Sequence, residues 1–250
     1  MSHVLRLSEA QVLAHSDRPL AAEEAARFEA LLARRLTGEP FAYLTGEKEF
    51  YGRPFAVDRR VLIPRPETEH LVEAVLALPL PQAPRILDVG TGSGSIAVTL
   101  ALELPAARLV ASDRSPGALA VAAGNARRHR VSDRVALVGA DLFAGLDLGR
   151  FDLVVSNPPY VDPGEAGELS PEVVDFEPGR ALFPSHRGTA LIEDLIEGSA
   201  RLRRGVSLVI EIGRGQLATV RHAATAAGLT VAAVVDDYAG VPRVVRLERR

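Results

Sequence analysis

The sequence of 250 residues contains no cysteine. This absence excludes a disulfide framework, a thiolate metal site and a catalytic cysteine. No stretch approaches the roughly 18 consecutive apolar residues that mark a membrane-spanning helix, so we expect no membrane partner. An excess of positive charge is missing as well, because the formal net charge is −3. That balance argues against a dedicated binder of duplex DNA, and we expect no direct nucleic-acid target.

Signals for export and for metal binding are also missing. The first residues, Met1-Ser2-His3-Val4, lack the charged start and apolar core of a secretion signal, so we expect a cytoplasmic protein. The six histidines are not spaced as metal ligands. We therefore predict no metal site.

The pattern that the sequence does contain is an alternation of strands and helices from residue 85 onward. Short apolar runs rich in β-branched residues alternate with longer helical segments, which is typical of a doubly wound, mostly parallel sheet. The last two predicted strands follow each other directly and predict an antiparallel closing hairpin. Seven strands are predicted in all, at residues 85–89, 109–112, 135–138, 151–156, 206–210, 230–236 and 241–247. Ligands of such sheets bind at the carboxyl ends of the strands.

The chain divides into three predicted parts. Residues 1–48 form a small helical N-terminal domain, in which residues 21–36 carry apolar side chains at helical spacing. Residues 49–84 comprise a hairpin, a helix and a proline-rich linker. Residues 85–250 form the α/β domain. Between residues 161 and 187 the sequence predicts a long loop at the substrate side of that domain.

A loop of sequence Ser156-Asn157-Pro158-Pro159-Tyr160 follows the fourth predicted strand. Neither proline can donate to a strand ladder, so the chain must leave the sheet as a stiff, extended loop. Such a loop suits a planar NH2 group. Asn157 Oδ1 and the Pro158 carbonyl can each accept one hydrogen, while Tyr160 packs against the plane. The plainer interpretation is a proline turn that closes a strand.

Three more strand ends carry residues of ligand-binding type. A glycine-rich loop follows the first strand, where glycines let the backbone approach a ligand closely. Asp113 ends the second strand and can accept from both hydroxyls of a ribose. After the third strand, Asp141 can bind an adenine amino group and Phe143 can cover its ring. The segment that we call the glycine loop includes the last two residues of the first predicted strand and consists of Asp88, Val89, Gly90, Thr91, Gly92, Ser93 and Gly94.

The glycine loop leaves two cofactor classes open. Residues 92–97 satisfy G-x-G-x-x-A, the pattern of dinucleotide-binding enzymes. Asp88, however, is poorly placed beside a pyrophosphate and suits an ammonium group or its water. We therefore rank a sulfonium cofactor with an amino-acid tail above a dinucleotide.

The glycine loop with Asp113 resembles that of class I S-adenosylmethionine-dependent methyltransferases, and residues 157–160 resemble the NPPY motif of their amino-methylating branch. Residues 39–46 and 62–69 are similar to segments of the bacterial peptide chain release factor glutamine methyltransferases. The resemblance implies a Rossmann-like fold, S-adenosylmethionine as cofactor and S-adenosylhomocysteine as product. It also implies a release factor as protein partner, methylated on the side-chain nitrogen of the glutamine in its Gly-Gly-Gln motif.

The resemblance also implies roles for individual residues. Asn157, Pro158, Pro159 and Tyr160 would be catalytic and bind the substrate, with Asn157 also close to the cofactor. Residues 1–48 would recognise the protein substrate. Arg65, Thr68 and Glu69 remain divided between capping a helix and closing the cofactor pocket. A DNA or other amino-methyltransferase that uses the same loop is the alternative function.

Overall fold

The computed structural model describes residues 1–183 and 188–249. Its N-terminal region is helical. Ser8 caps the second helix, where its hydroxyl accepts from the Gln11 N–H at 3.2 Å. Gly46 ends the fourth helix in the left-handed conformation, with φ 74°. The helices are α1 Ser2–Leu5, α2 Glu9–Ala14, α3 Ala22–Leu36 and α4 Phe41–Thr45.

A short hairpin and a helix connect this region to the main sheet. Strands β1 Glu47–Phe50 and β2 Arg53–Ala56 pair antiparallel. A 3-10 helix, Pro66–Thr68, leads directly into α5 Glu69–Leu76. Phe50 and Phe55 are buried in the same apolar cluster as α5 and the first strand of the sheet. The predicted boundary between residues 48 and 49 therefore falls inside β1, on a hairpin that packs against the main core.

The main sheet has seven strands in the order β5-β4-β3-β6-β7-β9-β8. β9 pairs antiparallel with both β7 and β8, and the other pairs are parallel. This confirms the predicted mostly parallel sheet with a C-terminal antiparallel hairpin. The strands are β3 Arg85–Val89, β4 Arg108–Asp113, β5 Val135–Gly139, β6 Leu153–Ser156, β7 Ser207–Glu211, β8 Leu229–Asp236 and β9 Pro242–Arg249.

The sheet separates two apolar clusters, because successive side chains of a strand point to opposite faces. Ile86 belongs to one cluster and Leu87 to the other. Every residue of β6 and β7 is buried, as expected for central strands covered on both sides. The helices that connect the strands are α6 Ser95–Glu103, α7 Pro116–Arg128, α10 Ala190–Ser199 and α11 Leu217–Ala226.

The strand order reverses between β3 and β6. From β3 the chain winds outward through β4 and β5, and it then returns to pair β6 with the other side of β3. A reversal of this kind opens a crevice at the carboxyl ends of the two strands, where such sheets bind ligands. The glycine loop follows β3 at this point, and the loop of residues 156–160, which we call the proline loop, follows β6.

The prediction of a long loop over residues 161–187 is wrong for much of its length. The segment contains a 3-10 helix, Pro163–Glu168, and the short helices α8 Pro171–Phe176 and α9 Gly179–Leu182. Pro163 and Pro171 occupy the first turn of their helices, a position that proline favours. In the sequence alone, these prolines indicate a loop. Residues 184–187 of the predicted loop lie outside the described residues.

None of the described helices combines the length and the apolar character that crossing a bilayer requires.

Candidate active site

A cavity of about 360 Å³ lies at the carboxyl ends of β3 and β6. Its size falls within the range of about 300–1,000 Å³ that is usual for small-molecule sites. The sheet contributes the glycine loop, the ends of β4 and β5 and the proline loop. The opposite walls come from residues 60–68 and from residues 178–183. The predicted site residues that line it are Gly90, Thr91, Gly92, Ser93, Asp113, Asp141, Asn157, Pro158 and Pro159.

The glycine loop lines the cavity and is hydrogen-bonded to the neighbouring strand of the sheet. Gly90 and Gly92 adopt φ 73° and φ 55°, which are left-handed values that favour glycine. The N–H groups of Gly90 and Thr91 donate to the Ser112 carbonyl at 2.8 and 2.9 Å. The loop is thus fixed to β4 before any ligand binds.

Gly94 has a packing role instead of lining the cavity. Gly94 adopts φ 80°, a left-handed value that favours glycine, and a Cβ here would lie 3.1 Å from the Cβ of Ala122 and press α6 against α7. The expectation that Gly94 contacts the cofactor does not match its position.

Asp88 is fully buried and also lies outside the cavity lining. Its Oδ2 accepts from the Thr91 hydroxyl at 2.6 Å, while Oδ1 makes no hydrogen bond within the described residues. Burial raises the pKa of the Asp88 carboxyl to about 7, although the Thr91 hydroxyl favours the charged form. The predicted contact with an ammonium group is therefore corrected: Asp88 holds Thr91, and Thr91 faces the cavity.

Asp113 presents its carboxylate to the cavity in a fixed orientation. Oδ2 accepts from the Gly92 N–H at 3.0 Å, and Oδ1 accepts from the Ser115 N–H at 2.8 Å. Each carboxylate oxygen can accept two hydrogen bonds, so one acceptor position on each oxygen remains.

Leu142, and not Phe143, follows Asp141 into the cavity lining. Leu142 adopts φ 49°, an uncommon value for a branched residue, which turns the chain at this point. Phe143 is only 4% exposed and belongs to the apolar cluster around α10. The prediction that Phe143 covers an adenine ring does not fit this burial, and Leu142 lines the cavity in its place.

The side chain of Asn157 is oriented by a residue from the opposite wall. Its Nδ2 donates to Thr68 Oγ1 at 2.9 Å, although the two residues are 89 positions apart. Within the described part of the chain, nothing donates to Asn157 Oδ1 or to the Pro158 carbonyl. Two neighbouring acceptors on residues that line the cavity are thus free.

Of the three residues that the sequence leaves open, two face the cavity, and neither of the helices that begin here has a side-chain cap. Arg65 and Thr68 line the cavity. Glu69 does not, because its Oε1 accepts from the Tyr51 N–H at 2.9 Å and anchors the hairpin.

Tyr160 is turned away from the cavity. Its hydroxyl donates to Glu211 Oε1 at 3.1 Å, and its carbonyl accepts from Gln216 Nε2 at 2.7 Å. A Cβ on Gly213 would lie 2.9 Å from the ring, so Gly213 makes room for it. The prediction that Tyr160 packs against the substrate plane is corrected: the residue anchors the proline loop.

Glu211 is a buried acid that we did not single out from the sequence. It ends β7 with no exposed surface. Burial raises the pKa of the Glu211 carboxyl to about 6, while the hydroxyls of Thr68 and Tyr160 and the charge of Arg243 oppose the rise. The available signal was an acidic residue inside the apolar run 206–212, where charge is costly.

Two family models match the chain. Residues 67–174 match the methyltransferase small domain, and residues 1–46 match the PrmC N-terminal domain. The release factor glutamine methyltransferase of Cereibacter sphaeroides is 44% identical over 98% of this chain and 87% of its own length. That of Koribacter versatilis is also 44% identical, over 96% of this chain and 86% of its own length.

Solved structures of lower identity share the fold. A methyltransferase from Pyrococcus furiosus superposes with a TM-score of 0.58 at 18% identity, covering 87% of this chain and 96% of that chain. The ribosomal protein L11 methylase of Lactobacillus delbrueckii gives 0.56 at 21% identity, covering 75% of this chain and 80% of that chain. These likenesses support the Rossmann-like methyltransferase fold.

Proposed function

This chain belongs to the release factor glutamine methyltransferase family, and we propose that it methylates the side-chain nitrogen of a glutamine in a peptide chain release factor. S-Adenosylmethionine is the proposed methyl donor, and the glutamine is that of the Gly-Gly-Gln motif. The relatives with 44% identity over nearly the whole chain support this substrate. No comparison favours the alternative of a DNA amino-methyltransferase. Because a release factor acts in translation, this substrate supports a cytoplasmic location for the protein.

The residues of the cavity fit the proposed cofactor. The two open acceptor positions of Asp113 suit the hydroxyls of a ribose. Asp141 suits the adenine amino group, and Leu142 offers an apolar surface for the ring. The glycine loop lets a ligand approach its backbone without a side chain in the way. When bound, S-adenosylmethionine supplies an electrophilic methyl group on a positively charged sulfur.

The free acceptors at Asn157 and Pro158 are the observation that carries the proposal. A primary amide has two N–H groups in one plane, and two adjacent acceptors can hold both of them. The nitrogen is then fixed in position and its electron density rises. Placement of this kind can contribute about 7–11 kcal/mol toward a reaction between two bound groups.

The same acceptors stabilise the charge that develops on the nitrogen as it gains a methyl group. Neither acceptor has to act as a base, because an amide nitrogen that has gained a fourth substituent is strongly acidic. It loses its proton readily to water.

The direct test is mass spectrometry of a release factor after incubation with this protein and S-adenosylmethionine. We expect the peptide that contains the Gly-Gly-Gln glutamine to gain one methyl group. A release factor with that glutamine changed to alanine serves as the control and should gain none. Methyl transfer to DNA, with none to the release factor, would refute the proposal.

The Asn157→Ala variant tests the role of the free acceptors. It removes Oδ1 and should lower the methylation rate on the order of 100-fold or more. Affinity for S-adenosylhomocysteine, measured by calorimetry, should change little. A variant with the wild-type rate would contradict the role that we give to this side chain.

A further inference from the structure

The orientation of the Asn157 amide decides whether the site can bind an NH2 group. A primary amide can face the cavity with its oxygen, which accepts, or with its nitrogen, which only donates. Only the first orientation can hold a substrate NH2. The Asn157 side chain contacts Thr68 through Nδ2, at 2.9 Å, and therefore leaves Oδ1 free.

Thr68 can impose this orientation because its hydroxyl has a single proton. Thr68 is buried, with 3% of its surface exposed, so water does not compete for that proton. The hydroxyl lies near enough to Glu211 to favour the charged form of that carboxylate. A charged carboxylate can only accept. A Thr68 hydroxyl that points its proton toward Glu211 can only accept from Asn157, which agrees with the observed contact from Nδ2 at 2.9 Å.

The surroundings of Glu211 keep it available to Thr68. Its Oε1 accepts from the Tyr160 hydroxyl, and its Oε2 makes no hydrogen bond within the described residues. The charge of Arg243 favours ionisation of Glu211, whereas the charge of Glu67 opposes it. Glu211 thus bonds Tyr160 at one end of the proline loop and lies near Thr68, which bonds Asn157 at the other end.

We propose that Thr68 and Glu211 are positioning residues that hold the Asn157 amide with Oδ1 toward the cavity. The inference rests on the proposed function, since it explains how the acceptor for the substrate amide is set. It also assigns a role to the segment that precedes α5. That segment completes the site by orienting a side chain of the loop that follows β6.

The Thr68→Val variant tests the inference, because valine has nearly the same shape but no hydroxyl. We expect the turnover rate to fall on the order of 100-fold, since misorientation of a positioning group costs this much. The KM for S-adenosylmethionine should change little. Thr68→Ser restores the hydroxyl and should recover most of the turnover. Wild-type turnover in Thr68→Val, or no recovery in Thr68→Ser, would overturn the inference.

A matched control is available at Thr99. This threonine is fully buried in α6, and its hydroxyl has no hydrogen-bond partner within the described residues. Thr99→Val makes the same chemical change in the core and should leave turnover unchanged. A loss equal to that of Thr68→Val would show a general packing effect and overturn the positioning role.

NMR of the Asn157 side-chain NH2 group gives a readout that does not depend on activity. In protein labelled with ¹⁵N at asparagine, the NH2 signals of Asn157 should shift in Thr68→Val and stay in place in Thr99→Val. Unchanged signals in Thr68→Val would overturn the inference. If the wild-type protein fails to methylate a release factor, yet Thr68→Val shifts the Asn157 signals, the proposed function is refuted and the orientation of Asn157 is supported.

Glu211 is tested through the pH dependence of turnover. When Glu211 is protonated it can donate to Thr68, which can then donate to Asn157 Oδ1 and turn the amide around. Turnover should therefore fall as the pH drops below about 6, the pKa of Glu211. In Glu211→Gln this decrease of turnover at low pH should disappear. The same decrease in the variant would overturn the role of Glu211.

Discussion

Arg65, which lines the cavity, donates to Glu177 Oε1 at 2.5 Å. The other carboxylate oxygen of Glu177 accepts from the Ile63 N–H at 3.0 Å. The side chain of Glu177 is only 1% exposed. One buried carboxylate thus joins the two walls that face the sheet, residues 60–68 and 178–183, although they lie far apart in the sequence.

Replacing Glu177 by alanine should destabilise the protein by about 1–3 kcal/mol, because it leaves the buried Ile63 N–H without its acceptor, whereas the Arg65 side chain, 32% exposed, can be hydrated instead. Glu172→Ala is the matched control. Glu172 lies on the same segment as Glu177 and also pairs with an arginine, Arg35, but its side chain is 39% exposed. The control should cost at most about 1 kcal/mol. Chemical denaturation measures both. Equal losses for the two variants would contradict a special role for the buried carboxylate.

The buried carboxyl of Asp88 should make stability depend on pH. Its pKa rises from 3.8 to about 7 on folding, so between these values the folded state keeps a proton that the unfolded state has lost. Stability from this group is therefore present below about pH 4 and is lost as the pH rises toward 7. Asp88→Asn removes this dependence.

Denaturation at pH 4 to 8 tests the prediction for Asp88. The wild type should lose more stability than Asp88→Asn over this range, because all other titrating groups are common to both proteins. Equal losses in the two proteins would show that Asp88 is charged in the folded state throughout this range and would contradict the prediction.

Two helical glycines should respond in opposite ways to the same substitution. A Cβ on Gly198 would lie 2.5 Å from the Phe143 ring, whereas a Cβ on Gly124 would meet nothing within 4 Å. Gly124→Ala should stabilise the protein by up to about 1 kcal/mol, the usual gain in a helix. Gly198→Ala should destabilise it by about 1–3 kcal/mol, because Phe143 must move. Thermal unfolding measures both, and a stabilised Gly198→Ala would contradict the packing described here.

Asn125 should support the glycine loop from a distance. Its Nδ2 donates to the carbonyls of Ser93 and Ala56, at 2.8 and 3.0 Å, and its Oδ1 accepts from the Ala56 N–H at 2.8 Å. Asn125→Ala leaves these buried groups unpaired, each at a cost of about 1–3 kcal/mol. We expect a lower melting temperature and weaker binding of S-adenosylhomocysteine. Unchanged binding by calorimetry would show that the loop holds itself in place.

The sheet and the strand ends of the site could be predicted because their signals are local. Apolar runs identified the strands, and the sheet arranged the residues that follow them at one edge. Asp113, Asp141 and Asn157 line one cavity for this reason. Strand–helix alternation also predicted the parallel sheet, which the structure confirms.

The remaining features depend on details that the local sequence does not contain. The left-handed turn at Leu142 moves Phe143 into the core, and nothing in a leucine predicts such a turn. The contact between Thr68 and Asn157 joins residues 89 positions apart and follows no local pattern. Asp88 and Tyr160 were expected at the cavity because of their neighbours in the sequence. In the structure neither residue lines the cavity: Asp88 bonds Thr91, and Tyr160 anchors the proline loop.

The placement of β9 has a consequence for synthesis of the chain. Because β9 lies between β7 and β8, residues 242–249 supply both neighbouring strands with a partner. While residues 242–249 have not yet emerged from the ribosome, β7 and β8 each have an unpaired edge. Unpaired strand edges can pair with other chains and cause aggregation. Truncation before Pro242 should therefore produce insoluble protein, however complete the preceding cavity is.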